Sequence, residues 1–299
     1  MKILHIISQW MGELLILAIV TGYFLPFLGI FKPIVSWLLM FLLFSSFLSL
    51  DFKLSRFVRA ELLLFPVLNW LIMPLLIFYC TQFLSMDYRI GLFLIIITPP
   101  ALGSPIIVRL AKGDLSFAVS NVVLFNILSP VVYAILPKFF FGGLSNMVSP
   151  ISIFLDVALY IFIPLVLALL LKRMKNVRNF VLNQIDPFKG IIQLFMIAVV
   201  IASSRKKIDE VPIEEALIIF SMTLIISFLM YLIAYLVCRK DKVMQMTCPI
   251  STGHKNTLLS IVTCLSNFSP IVAIPSIFYI VSHHVWNGII IFLSKRQKA

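Results

Sequence analysis

Pro249-Ile250-Ser251-Thr252-Gly253-His254-Lys255-Asn256 interrupts a long apolar run. A proline removes an amide donor and a glycine loosens the chain, so a membrane helix through this stretch is expected to break partway across. Lys255 then lies at the break, and an ionisable residue at such a place is a functional candidate by default. A second interruption, Pro99-Pro100-Ala101-Leu102-Gly103-Ser104-Pro105, holds three prolines and a glycine in seven residues. Two interrupted spans in corresponding places of two halves are the sequence mark of a transporter's binding site.

The composition fits that setting. Apolar residues make up 61% of the 299 residues and charged residues only 12%, whereas a soluble domain is about 45–50% apolar. The chain therefore reads as an all-α, polytopic membrane protein. A span needs about 20 apolar residues, and ten are expected: roughly 11–31, 33–50, 57–84, 88–112 (broken), 115–137, 148–171, 187–204, 212–238, 243–266 (broken) and 268–294. Lys2 followed by an apolar run that Glu13 interrupts reads as a retained span, not a signal peptide.

The net charge of +12 is a topology signal. With the N-terminus inside, the inner loops hold sixteen of the 24 Lys and Arg residues: Lys2, Lys53, Arg56, Arg59, Arg109, Lys112, Lys172, Arg173, Lys175, Arg178, Arg239, Lys240, Lys242, Lys295, Arg296 and Lys298. Six lie outside (Lys32, Arg89, Lys138, Arg205, Lys206 and Lys207), and Lys189 and Lys255 fall in spans. That bias places both termini in the cytoplasm of a protein of the cell inner (plasma) membrane. It argues against a nucleic-acid partner, and the lipid bilayer takes that place.

Ten spans divide as five plus five, residues 1–140 and 141–299, and an odd number per half inverts the second half. The broken spans are then the fourth of each half. Ser104 is expected to cap the half-helix after the first break with Pro105 at its first position, and Ser251 or Thr252 to cap the half-helix after the second. Lys255 falls in the first turn of that second half-helix, where it opposes the dipole. Its stem reaches either carbonyl ends of neighbouring half-helices, the place of a bound sodium ion, or water, or Asp156. His254, His283 and His284 titrate near neutral pH and are candidates for binding a carboxylate or moving a proton. Asn69, Asn121, Asn126 and Asn267 are expected to bond between helices. Cys80, Cys238, Cys248 and Cys264 show no metal or disulfide spacing and read as small buried hydrophobes. No metal-ligand cluster, phosphate loop or nucleophile–base pair stands out, so neither a cofactor nor an enzyme is expected.

Ser104-Pro105-Ile106-Ile107-Val108-Arg109-Leu110-Ala111-Lys112-Gly113-Asp114, with Leu128-Ser129-Pro130 after it, resembles the span 4–5 signature of the bile acid:sodium symporter family. Phe47-Leu48-Ser49-Leu50-Asp51-Phe52 is similar to that family's end of span 2. Gly253 and Asn256, followed by Ser269-Pro270-Ile271-Val272-Ala273-Ile274-Pro275, are similar to its span 9–10 region, where Asn256 is expected to cap a helix or to contact substrate. The resemblance implies two inverted five-helix repeats, with a panel domain (spans 1, 2, 6, 7) and a core domain (spans 3, 4, 5, 8, 9, 10). It also implies alternating-access transport of organic anions, from steroid acids to small carboxylates, bound where spans 4 and 9 cross. The implied substrate residues are Leu102, Gly103, Ser104, Thr252, Gly253, His254, Asn256, His283 and His284. Ser104, Ser251 and Lys255 stand at ion-site or coupling positions.

The departures bear on coupling. Pro105 stands where the family has an asparagine, Ala118 and Val122 where it has hydroxyls, Ser251 where it has a glutamate and Lys255 where it has a glutamine. Only Ser104 keeps a sodium-ligand type. The family's sodium sites are therefore expected to be unused, with the charge of Lys255 in their place, leaving uniport, exchange or proton coupling. The competing classes are a transport-inactive sensor or scaffold that keeps the fold, and a conventional sodium:organic anion symporter.

Overall fold

The computed structural model describes residues 11–50, 60–142, 148–185 and 188–296. Lys2, Asp51, Phe52, Lys53, Arg56, Arg59 and Lys298 lie outside the described residues, as does the side chain of Glu13. The described chain is all helical, at 87% helix without strands. Its helices are α1 (Met11–Phe24), α2 (Val35–Ser49), α3 (Ala60–Cys80), α4 (Met86–Ile97), α5 (Ser104–Leu110), α6 (Leu115–Phe140) and α7 (Pro150–Leu171). Then come α8 (Lys175–Phe180), α9 (Lys189–Asp209), α10 (Ile213–Val237), α11 (Lys242–Gly253), α12 (Thr257–Asn267) and α13 (Ile274–Arg296).

Six of these are long and apolar enough to cross a membrane by themselves or with an adjoining 3-10 turn, seven if the bent pair Lys175–Gln184 and Lys189–Asp209 counts as one. The chain is thus a multi-pass membrane protein. Length and composition do not by themselves return ten spans. The 12 residues of α4 extend about 18 Å, short of a bilayer's roughly 30 Å, and α5, α11 and α12 are no longer. Near the N-terminus the expected first span stops at Phe24, and a 3-10 segment, Pro26–Ile34, leads straight into α2.

The chain divides into two compact units: Met1–Leu50 with Ala158–Glu215, and Asp51–Val157 with Ala216–Ala299. In the first, α9 packs along α1. A side chain at Gly22 would stand 2.3 Å from the Ala198 carbonyl oxygen, so only a glycine lets the two backbones come this close. Tyr23 donates to Asp209 at 2.8 Å, with Arg205 over its ring. Lys172 donates to the Leu50 carbonyl.

In the second unit, the Leu110-Ala111-Lys112-Gly113-Asp114 stretch has a structural purpose. Lys112 takes the left-handed conformation (φ 58°) that closes α5, and the Gly113 amide returns to the Val108 carbonyl at 2.9 Å. The Asp114 side chain then caps α6 by accepting from the amides of Ser116 and Phe117. Gly113 lies against Thr247 of α11, where a Cβ would approach Oγ1 to 2.5 Å, and the Asp114 amide donates to that oxygen at 2.7 Å. One turn thereby starts α6 and holds α11.

Candidate functional site

Both interruptions lie in the second unit, and they meet. Helix α4 stops at Ile97, and Thr98, Pro99, Pro100, Ala101, Leu102 and Gly103 link it to α5. Helix α11 stops at Gly253, and His254-Lys255-Asn256 link it to α12. Pro99 and Pro100 have no amide to donate but keep their carbonyls. The links therefore pair as a short antiparallel bridge, Pro100 opposite Lys255. The Asn256 amide donates to the Pro99 carbonyl and the Ala101 amide to the His254 carbonyl, each at 2.9 Å. Helix α6 secures the first link and the last turn of α11: Asn126 donates to the Pro100 carbonyl at 3.0 Å and Asn121 to the Ser251 carbonyl at 2.8 Å. Non-helical backbone persists at membrane depth only where protein buries it or a wet cavity receives it, and Thr98, Lys255 and Asn256 of these links are buried.

Lys255 is 1% exposed. Its ammonium donates to Asn69 Oδ1, to the Ile96 carbonyl at 2.7 Å and to the Thr98 carbonyl at 2.9 Å. These three bonds satisfy all three ammonium protons. The Ile97 carbonyl between them accepts from Trp70 Nε1 at 3.0 Å. The carbonyls of Ile96 and Ile97 at the C-terminus of α4 are thus met by side chains, and the charge sits at the negative end of the helix. Phe65 presents its ring 4.7 Å from the ammonium and stacks on Phe125 with a centroid distance of 4.3 Å, adding a cation–π contact to a desolvated charge. Asn69 lies in a π-helical stretch of α3, Val67–Ile72, and its amide is tied to the Phe65 carbonyl at 2.9 Å, which leaves its oxygen for Lys255.

Several expectations need correction. Lys255 precedes the N-cap of α12 and is not in its first turn, so it does not oppose that helix's dipole from within. The break begins after Gly253, not at Pro249, and Asn256 is the cap, accepting from the Leu259 amide at 3.3 Å. Ser251 and Thr252 are both inside α11, and the Thr252 hydroxyl bonds back to the Cys248 carbonyl at 2.8 Å. Gly103 is at the N-cap of α5, Ser104 is the first helical residue and Pro105 the second. Asp156 is not the partner of Lys255; it accepts from Asn267 at 2.9 Å. Among the described residues no carboxylate pairs with Lys255. Cys80 is exposed and not a buried hydrophobe.

The other candidates form a second group beside the link. His254, His283 and His284 lie ring against ring, tilted, with centroids 4.6 Å (254–283) and 4.5 Å (283–284) apart. His284 Nδ1 pairs with the Ile280 carbonyl at 2.7 Å. Among the described residues, Nδ1 of His254, Nδ1 of His283, Nδ2 of Asn256 and Nδ2 of Asn287 are buried without a partner. Tyr279 donates to the Gly253 carbonyl at 2.9 Å and Tyr231 to Asn287 at 2.7 Å. Gly253 is packed hard: a Cβ would stand 2.1 Å from the Tyr231 ring. Leu102 is buried, whereas Gly103 has open space where a Cβ would stand. The hydroxyls of Ser104 and Ser251 are buried without a partner among the described residues, and Ala118 and Val122 offer none. No group of three or more His, Cys, Asp or Glu among the described residues is placed to hold a metal ion.

Sequence reading passed over Phe65, Trp70, Tyr231, Tyr279 and Asn287. Asn69 was legible only as an amide in an apolar span. The aromatic residues were lost among 27 phenylalanines and a generally apolar background.

Known proteins bear on this geometry. The chain is similar to YocS of Bacillus subtilis (strain 168), whose name calls it an uncharacterized sodium-dependent transporter, with 26% identity over 312 residues covering 99% of this chain and 94% of that one. The family model described as the Sodium Bile acid symporter family, whose members are transporters and not enzymes, matches residues 36–211. More than half the sequence lies in that match, and the chain belongs to the sodium bile acid symporter family.

Proposed function

We propose that this protein is a secondary transporter of organic anions, of the bile-acid or small-carboxylate type. It works by alternating access in the cell inner (plasma) membrane with both termini cytoplasmic, and the Lys255 ammonium takes the place of a mobile sodium ion. The reading treats α4–α5 and α11–α12 as two broken spans. The observation that carries it is the cradle of Asn69 Oδ1 and the Ile96 and Thr98 carbonyls around that ammonium. Neutral oxygens at the negative end of a helix are what a bound monovalent cation seeks. Here a tethered cation already has them, and its charge repels a second one nearby.

The anion's counter-charge then comes from Lys255 at short range, with the N-terminus of α12 and the unpaired nitrogens of His254, His283 and Asn256 as donors. Leu102, Gly103, Ser104, Thr252, Gly253 and His284 complete the proposed site. Coupling in this reading is absent, by exchange, or by protons.

A second reading is conventional sodium symport. It is favoured by the unpartnered buried oxygens of Ser104, Ser251 and Asn126, and the name of YocS points the same way. Uptake of a labelled steroid acid and a labelled small carboxylate into proteoliposomes separates the two. Replacing sodium with choline should leave wild-type uptake unchanged, and Lys255→Met should abolish it. Steep sodium dependence that Ser104→Ala removes would overturn the tethered-cation reading. Absence of flux for every anion under every ion condition would favour the sensor or scaffold.

A further inference from the structure

Two thiols that neither the cradle nor the histidine group uses lie closer together than ordinary van der Waals contact. Cys238 follows the last residue of α10, and Cys248 lies in α11 just before Pro249. Their sulfurs are 2.7 Å apart. The turn between the two helices is held at both ends. The Asp241 amide donates to the Cys238 carbonyl at 3.1 Å, and the Asp241 carboxylate caps α11 through the amides of Val243 and Met244. Leu62, Leu68, Phe117, Ala234 and Met244 pack around the pair. Cys238 is 6% exposed and Cys248 1%, so Cys238, at the helix end, is the one a small oxidant meets first.

The separation decides what the pair can do. A soft metal ion held in line between two sulfurs needs them about 4.6 Å apart, at roughly 2.3 Å per bond. The observed distance is far below that. It is close to the ~2.05 Å of a disulfide, and only a small movement of either side chain separates the two states.

We infer that Cys238 and Cys248 are a redox modification site: they form a reversible intramolecular disulfide that tethers α11 to the end of α10. With hydrogen peroxide as oxidant the step balances. The Cys238 sulfur attacks one peroxide oxygen, the O–O bond breaks, and one water leaves a sulfenic acid. The Cys248 thiol then attacks the Cys238 sulfur, the S–S bond forms, and a second water carries off the hydroxyl and the remaining proton. Two thiols have lost two electrons and one peroxide has become two waters. A dithiol reductant reverses the change. The tether acts on the helix that ends at Gly253, two residues before Lys255, so it reaches the cradle through the backbone.

Peptide mapping tests this without any assumption about transport. Full-length protein in lipid nanodiscs is exposed to hydrogen peroxide, alkylated with N-ethylmaleimide and digested. A cross-linked peptide joining Cys238 to Cys248, lighter than the two reduced peptides by two hydrogen atoms and lost after dithiothreitol, is the expected result. The oxidised wild type should also unfold at a higher temperature than the reduced form, while Cys248→Ser shows no such difference. Recovery of both residues as separate alkylated or sulfinic species, under conditions that oxidise exposed Cys80, would overturn the inference.

Discussion

The Lys255 ammonium donates to the carbonyl of Thr98 at 2.9 Å, across 157 residues of chain. Thr98 is the residue at which α4 gives out, and its hydroxyl already bonds back to Leu94 at 2.7 Å and pairs with Tyr133. The helix end is therefore held by contacts that do not involve the lysine. A preorganised set of oxygens around a tethered cation is the relationship from which the site takes its character.

Lys255→Met leaves three acceptors without a donor. Each orphaned buried acceptor costs about 1–3 kcal/mol, against which the relief of desolvating a charge works in the opposite direction. The geometry here is satisfied, so the loss should win, by about 3 kcal/mol in total. Fluorimetric unfolding in detergent should show a melting temperature several degrees lower. Lys255→Gln keeps donors for part of the cradle and should fall between wild type and Lys255→Met. A Lys255→Met protein as stable as wild type would refute the cradle.

Asn69→Leu removes the one side-chain oxygen from the ammonium. The lysine keeps two carbonyls, so the expected loss is about 1–3 kcal/mol, smaller than for Lys255→Met. In the double variant Asn69→Leu/Lys255→Met the effects should be less than additive, because both remove one interaction. Additivity in that cycle would mean the two residues do not interact.

Gly253→Ala and Gly103→Ala make a contrast. Helix propensity favours alanine over glycine by about 1 kcal/mol, but at Gly253 the new methyl would stand 2.1 Å from the Tyr231 ring. Overpacking costs about 1–3 kcal/mol or more, so Gly253→Ala should destabilise and Tyr231→Leu should partly rescue it. At Gly103 nothing lies within 4 Å, so only the loss of a glycine N-cap acts there, about 0.5–1 kcal/mol, less than the overpacking at Gly253. Equal melting temperatures for the two alanine variants would contradict the packing at Gly253.

His283→Phe retains ring volume and removes the unpaired nitrogen facing the group. If that nitrogen meets the anion, the variant should fold normally and bind it more weakly, by about tenfold for a charge-assisted bond worth roughly 1.5 kcal/mol. Isothermal titration with a steroid acid and with a small carboxylate measures it. Unchanged affinity in a folded variant would remove His283 from the site.

Asn126→Leu frees the Pro100 carbonyl from its side-chain donor. The link that follows α4 should loosen, lowering stability by about 1–3 kcal/mol. Amide exchange at Ala101 and Asn256, the two donors of the bridge, should quicken together. Acceleration at neither amide would mean the bridge stands without α6.

The sequence alone determined the class of molecule. Apolar runs divided by short basic loops have one physical outcome, helices in a bilayer, because no other structure here satisfies backbone groups away from water. It also located both interruptions to within a few residues, since a proline removes an amide donor and a glycine loosens the chain, although Pro249 itself stays inside α11. Boundaries within the breaks were less legible. Asn256 took the cap position that Ser251 or Thr252 was also expected to fill, and Gly103 that of Ser104, because α11 runs on through Gly253 and α5 starts at Ser104. Tertiary structure alone decided the partners of Lys255. Nothing local to position 255 distinguishes Asn69 and the carbonyls of Ile96 and Thr98 from Asp156. The choice was made by the bridge between Pro100 and Lys255, which sets the lysine's starting point and aims its stem at the end of α4. A buried charge takes the acceptors its backbone brings within reach, and that reach is a property of the folded chain.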